Sequence, residues 1–118
     1  MKIAHVTIFT KCMEESVEFY EKMAGLKIQR DMRGTDHPIV FLAAEEGEAC
    51  IELVESPDAP YEGAGILVGF LTDDAERERK IKEEAGLCPG PMIMPNPHAK
   101  FFTVKDPNGV EIQFLQED

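Results

Sequence analysis

Three polar side chains sit on stretches that are otherwise apolar: His5 in HVTIF, Glu52 in ACIELV and Gln113 in VEIQFL. Taking a carboxylate out of water without a partner is costly, so Glu52, between Ile51 and Leu53, must face water, a proton donor or a cation. A bound metal ion would satisfy it, and so would an open, wet sheet surface. A single histidine on a strand is more often structural than a ligand. His5 therefore acquires chemical meaning only if the fold brings Glu52 and Gln113 to the same place, and the three are far apart along the chain.

The elements that would carry them can be read from periodicity. Residues 3–9 alternate as a β-strand does, and KCMEESVEFYEKMAGL then switches to helical spacing, with Met13, Val17, Tyr20 and Ala24 on one stripe and Gly25 ending it. Strand-like runs follow at 27–33, 38–44 and 48–54, separated by the turn signals GTDHP and EEGE, so the first half reads βαβββ. The segment 56–64, rich in proline, glycine and small residues, is the expected connection between one module at about 1–55 and another at about 65–118. The second half opens with ILVGFLT and continues into a charged helix, DDAERERKIKEEAGL, with Glu76/Lys80 and Glu78/Lys82 spaced i,i+4. A proline-rich loop, CPGPMIMPNPH, then leads to AKFFTVK, the turn DPNG and a last strand, VEIQFL, so the order is again close to βαβββ, with the first of its three late strands blurred by the prolines.

The shared order suggests an internal repeat. Both helices end in Ala-Gly-Leu, and Glu52 and Gln113 each lie 27 residues beyond the glycine, Gly25 or Gly86. Counting from the threonines before the helices, Thr10 and Thr72, His5 falls opposite Leu67, and the two counts differ by one residue of helix length. Alternation sorts each strand into two faces. Ala4, Val6 and Ile8, Ala49, Ile51 and Leu53, Ile66, Val68 and Phe70, and Val110, Ile112 and Phe114 make apolar rows suited to lie under the helices. The opposite rows hold His5, Thr7 and Phe9, Cys50, Glu52 and Val54, Leu67, Gly69 and Leu71, and Glu111, Gln113 and Leu115. If the first and last strands of each half are neighbours, His5, Glu52 and Gln113 look into one concave space.

Composition narrows the function. A chain of 118 residues is one domain by length and large enough for a core without staples. A formal net charge of -11 with no basic run repels phosphate backbones and anionic lipid, which argues against nucleic-acid and membrane partners. No secretory h-region and no run of 18 apolar residues is present, so a cytoplasmic protein is expected. Three widely spaced cysteines without a CxxC pattern argue against a disulfide framework and against a cysteine zinc site.

The segments HVTIFTKCMEESVEFYEKMAGLKI, CIELVE and TVKDPNGVEIQFL together resemble the vicinal oxygen chelate superfamily, which includes glyoxalase I, the bleomycin and fosfomycin resistance proteins and the extradiol dioxygenases. The likeness spans the whole chain as a single domain. It implies an α+β fold of two βαβββ modules whose curled mixed sheets surround a central cavity, commonly in a homodimer. In metal-using members the ligands come from the first and last strands of each module, which here are His5, Glu52, Leu67 and Gln113. His5 and Glu52 match glyoxalase-type ligands, and Gln113 supplies a neutral oxygen in place of the usual closing glutamate. Leu67 departs from the pattern, because its side chain cannot coordinate.

The resemblance implies a divalent ion, Zn²⁺, Ni²⁺, Mn²⁺ or Fe²⁺, on His5, Glu52 and Gln113, held by fewer strong donors than a two-histidine, one-carboxylate set. The loss of the second histidine disfavours a dioxygenase. The implied activity is that of a glyoxalase-like metal-dependent lyase or isomerase on a small oxygenated substrate. The ion would stabilise an enediolate, and Glu52, after leaving the metal, would act as the base, with Glu111, one residue out of phase, as the alternative. Thr7, Phe9, Val54, Leu67, Leu71, Leu115 and His98 are the candidate cavity lining, with His98 a substitute ligand or acid at the mouth. The alternative is a metal-free binding protein of the bleomycin-resistance type, which Leu67 and the apolar lining favour.

Overall fold

The computed structural model describes residues 1–118, which form two compact units, Met1–Glu62 and Gly63–Asp118. No helix is long and apolar enough to cross a membrane. The first unit runs β1 (His5–Thr10), α1 (Met13–Lys22), β2 (Lys27–Asp31), β3 (Ile39–Ala43) and β4 (Cys50–Glu55), with the strands side by side in the order β1-β4-β3-β2. The second runs β5 (Leu67–Leu71), α2 (Ala75–Glu84), β6 (Ile93–Asn96), β7 (Ala99–Lys105) and β8 (Glu111–Glu117), ordered β5-β8-β7-β6. Each is the expected βαβββ, and the sheets are mixed: β1 pairs parallel to β4 and β5 parallel to β8, while the other pairs are antiparallel. A parallel pair cannot be joined by a tight turn, so the helix and two strands between its members form the long crossover.

In the first unit, Ile8, Val40, Leu42, Ile51 and Leu53 on one sheet face are buried together with Met13, Val17 and Tyr20 of α1. Each such side chain contributes on the order of 1.5–3 kcal/mol of transfer free energy. Ala4, Val6 and Ala49, expected on this row, are exposed, as is Ile66 in the second unit. Ala4, Ala49 and Ile66 precede their strands, and Val6 is the second residue of β1. Arg33 ties the end of β2 to α1, with Nη2 2.6 Å from Asp31 Oδ2 and Nη1 3.0 Å from Glu14 Oε2. Its side-chain hydrogen bonds hold the Asp31 carboxyl down to about 2.

The second unit has a different core. Phe102, Val104, Ile112 and Phe114 are buried, with Phe102 and Phe114 stacked at 5.4 Å, but α2 contributes only Ala75 and Lys82 as buried residues. The Lys82 side chain is 1% exposed, donates to Glu78 Oε2 at 2.5 Å and places its ammonium 4.2 Å from the centroid of Phe114. Counting from the threonines, Lys82 stands where Tyr20 stands in α1, so an aliphatic stem under an ion pair replaces an aromatic ring. The other expected pair is not formed as read: Glu76 instead lies 3.6 Å from Lys100 Nζ on β7.

One blurred element is resolved and one expectation is corrected. The first late strand of the second half, indistinct in the sequence because of its prolines, is β6, and Pro95 is tolerated there because β6 is at the sheet edge, where a missing N–H breaks no ladder. Both helices have ten residues, so the one-residue slip lies after them, between Lys22 and Gly25 on one side and Glu84 and Gly86 on the other. The turn before β8 is built as DPNG suggests. Asp106 Oδ1 accepts from the backbone N–H groups of Asn108 at 2.8 Å and Val110 at 2.9 Å, while Gly109 takes φ +86°.

The helix starts also differ. Asp74 caps α2 by accepting from Arg77 N at 3.0 Å, whereas Cys12 makes no side-chain cap bond at α1. Asp74→Ala is expected to cost about 1 kcal/mol of unfolding free energy, read as a lower urea midpoint with unchanged slope.

Candidate functional site

The register of β1 on β4 sets Thr7 beside Glu52, and that of β3 on β4 sets Phe41 on its other side. With period 2, His5, Thr7, Phe9, Cys50, Glu52, Val54 and Phe41 share the sheet face away from α1. Thr7 Oγ1 donates to Glu52 Oε1 at 2.5 Å, and His5 Nε2 stands 3.3 Å from the same oxygen. The His5 ring meets Phe41 edge-on, with centroids 5.9 Å apart and planes at 77°. The His5 side chain is 43% exposed and that of Glu52 13%. Glu52 is thus largely withdrawn from water, with its donors gathered on one oxygen. Oε2 has no hydrogen-bond partner within the chain, and since no buried polar side-chain atom is left unpaired, it opens to solvent.

The equivalent place in the second unit holds different chemistry. Gly69 pairs with Gln113, and Thr103 lies on its other side. A Cβ on Gly69 would come within 2.8 Å of Gln113 Oε1, so the amide folds over β5 into room that only glycine leaves. Leu67 stands where His5 would be and is 44% exposed, and Leu71, the counterpart of Phe9, is 77% exposed. Gly69→Ala should leave stability within about 1 kcal/mol, because the clashing atom is the tip of a flexible side chain and glycine in a strand is itself unfavourable. It should turn the Gln113 amide away from β5, visible as a changed side-chain NH₂ resonance.

The first unit therefore brings together His5, Thr7, Phe9, Glu52 and Val54, and the second gathers Leu67, Leu71, Gln113 and Leu115 on the face away from α2. His98 is not among the latter. It lies in the short turn between β6 and β7, where its backbone N–H donates to Asn96 Oδ1 at 2.7 Å. It lines a cavity of about 220 Å³ with Met94, Lys100 and Gln116. Lys100 and Gln116 both face α2, one paired with Glu76 and the other accepting from Ala75 N at 2.9 Å, so that hollow is on the opposite side of the sheet from Gln113. No three His, Cys, Asp or Glu side chains cluster as a metal site. Reading Thr7 only as cavity lining overlooked its hydroxyl bond to Glu52; the hydroxyl type on the same face was the available signal.

The model of the Glyoxalase/Bleomycin resistance protein/Dioxygenase superfamily matches residues 2–114. YwbC of Bacillus subtilis (strain 168) is 32% identical over 123 residues, covering 98% of this chain and 97% of that protein. A lactoylglutathione lyase of Neisseria meningitidis serogroup A is 27% identical over 131 residues, covering 99% of this chain and 91% of the lyase. Among solved structures, TnmS3, an antibiotic binding protein from Streptomyces sp. CB03234, superposes with a TM-score of 0.77 over 100% of this chain and 97% of that one. At 21% identity that likeness speaks for the fold alone. Two βαβββ units with β1 on β4 and β5 on β8, and a family match across nearly the whole length, lead to one conclusion: the chain belongs to the Glyoxalase/Bleomycin resistance protein/Dioxygenase superfamily.

Proposed function

We propose that the protein is a glyoxalase-like, metal-dependent lyase or isomerase acting on a small substrate with two adjacent oxygens. The observation that carries this reading is the approach of His5 Nε2 to Glu52 Oε1 at 3.3 Å. Donors bound to one ion at about 2.0–2.2 Å stand roughly 3–3.5 Å from each other, so the pair fits a shared divalent ion as it stands. Imidazole and carboxylate suit Zn²⁺, Ni²⁺, Mn²⁺ or Fe²⁺, and Gln113 is the further oxygen donor of this reading. A homodimer is part of the same proposal.

Such an ion supplies Lewis acidity, drawing charge onto the substrate oxygens as a proton leaves the neighbouring carbon. The chain does the rest. Phe41 packs edge-on against the imidazole, and Thr7 restrains the carboxylate. Glu52 Oε2, which no protein group occupies, is the atom that accepts the proton. Phe9 and Val54 flank the pair on the same face and provide apolar contact. The 27% identical lactoylglutathione lyase is consistent with this class. The test is exchange of the carbon-bound proton of α-hydroxycarbonyl compounds in D₂O, which the metal-loaded protein should catalyse and the chelator-treated protein should not.

One observation favours a second reading. Leu67 puts an exposed apolar side chain where the first unit has His5, as a metal-free ligand-binding protein would use it. Full ligand affinity in chelator-treated protein, with no exchange under any ion, selects that reading.

A further inference from the structure

We propose that Thr7 is a positioning residue that holds Glu52 in its ion-binding geometry; the inference rests on the metal-site reading above. A glutamate on a strand has three side-chain torsions, and its last one is broad, so an unrestrained carboxylate presents either oxygen at many angles. Here one donor removes that freedom. The Thr7 hydroxyl, directly across the parallel β1·β4 ladder, gives its proton to Oε1 and holds that same oxygen 3.3 Å from His5 Nε2. Oε1 thereby keeps one lone pair on the hydroxyl and turns the other side toward the imidazole, where a shared ion would sit. Partners that hydrogen-bond a ligating carboxylate fix its orientation, and their removal typically weakens metal binding 10–100-fold.

The second unit supports the assignment by contrast. At the position equivalent to Thr7 stands Gly69, and its neighbour Gln113 is oriented by space rather than by a donor. A neutral amide costs less to withdraw from water than a carboxylate does, and the carboxylate of Glu52, at 13% exposure, needs a donor. The hydroxyl is found in the unit that has the charge. Thr7 itself is half-buried on a strand, where valine has the same shape and the same β preference, so the hydroxyl can be removed without disturbing the packing.

The experiment is titration of metal-free wild type, Thr7→Val and Thr7→Ser with Ni²⁺ by calorimetry, with the visible spectrum of each Co²⁺-loaded protein and the thermal midpoint of each metal-free one. Thr7→Val should bind Ni²⁺ about 10–100-fold more weakly and show altered Co²⁺ bands, and its metal-free form should melt lower than wild type because Glu52 has lost the donor that offsets its charge. Thr7→Ser, which keeps the donor, should return affinity to within about threefold of wild type. If wild type binds Ni²⁺ and Thr7→Val matches it in affinity and spectrum, the positioning role is overturned while the metal site stands. If wild type takes up no ion, the metal-site reading falls and the role of Thr7 falls with it.

Discussion

Glu52→Gln should weaken divalent-ion binding by more than about 100-fold, beyond the 10–100-fold typical of outer-shell partners, while the thermal midpoint stays level or rises. Among the proposed donors, Glu52 is the one anion; His5 is a neutral ligand when bound and Gln113 an amide. Glutamine at position 52 has nearly the same shape and can still accept from the Thr7 hydroxyl, so packing on β4 is retained. What disappears is the charge, held at 13% exposure and therefore costly to the folded chain unless a cation or donor offsets it. Affinity and stability consequently move in opposite directions, the signature of a residue kept for binding rather than for folding. Calorimetric titration and a thermal melt of the same sample read both.

Glu78→Ala should cost about 3 kcal/mol of unfolding free energy, the largest stability effect expected for a single change in α2. It leaves the Lys82 ammonium, 1% exposed and over the Phe114 ring, without its carboxylate. The figure sits at the low end for broken buried pairs because Glu78 is 22% exposed, and water can follow it in. Lys82→Met should by contrast remain within about 1 kcal/mol of wild type, since it removes the buried charge and keeps the aliphatic stem. The double variant Glu78→Ala/Lys82→Met should then recover most of the loss. Urea unfolding of the three variants measures it, and an equal loss in Lys82→Met would refute the argument.

Much of the site was legible because it breaks a strong pattern. Glu52 and His5 are polar residues on otherwise apolar stretches, and the count from Gly25 and Gly86 already sets Glu52 and Gln113 at equivalent positions. The registers bear this out: Glu52 pairs with Thr7, Gln113 pairs with Gly69, and Thr7 and Gly69 are themselves equivalent. Alternation could show that Thr7 shares the face of Glu52, but not that it is the residue across the ladder, since that depends on the stagger of β1 on β4. The i,i+4 spacing of Glu78 and Lys82 leaves the burial of the pair open, because local spacing is the same for a surface pair and a buried one. Only the sheet beneath it decides, and that sheet presents Phe114. Pro95 blurs β6, since proline argues against a strand until the strand is known to lie at an edge.

The most direct measurement is the metal content of untagged protein after equilibration with micromolar Zn²⁺ or Ni²⁺ and removal of unbound ion, set beside His5→Ala treated identically. About one ion per chain in wild type, lost in His5→Ala, is the predicted result. A wild-type protein that retains no ion, or a His5→Ala variant that retains as much, would contradict the shared site on His5 and Glu52.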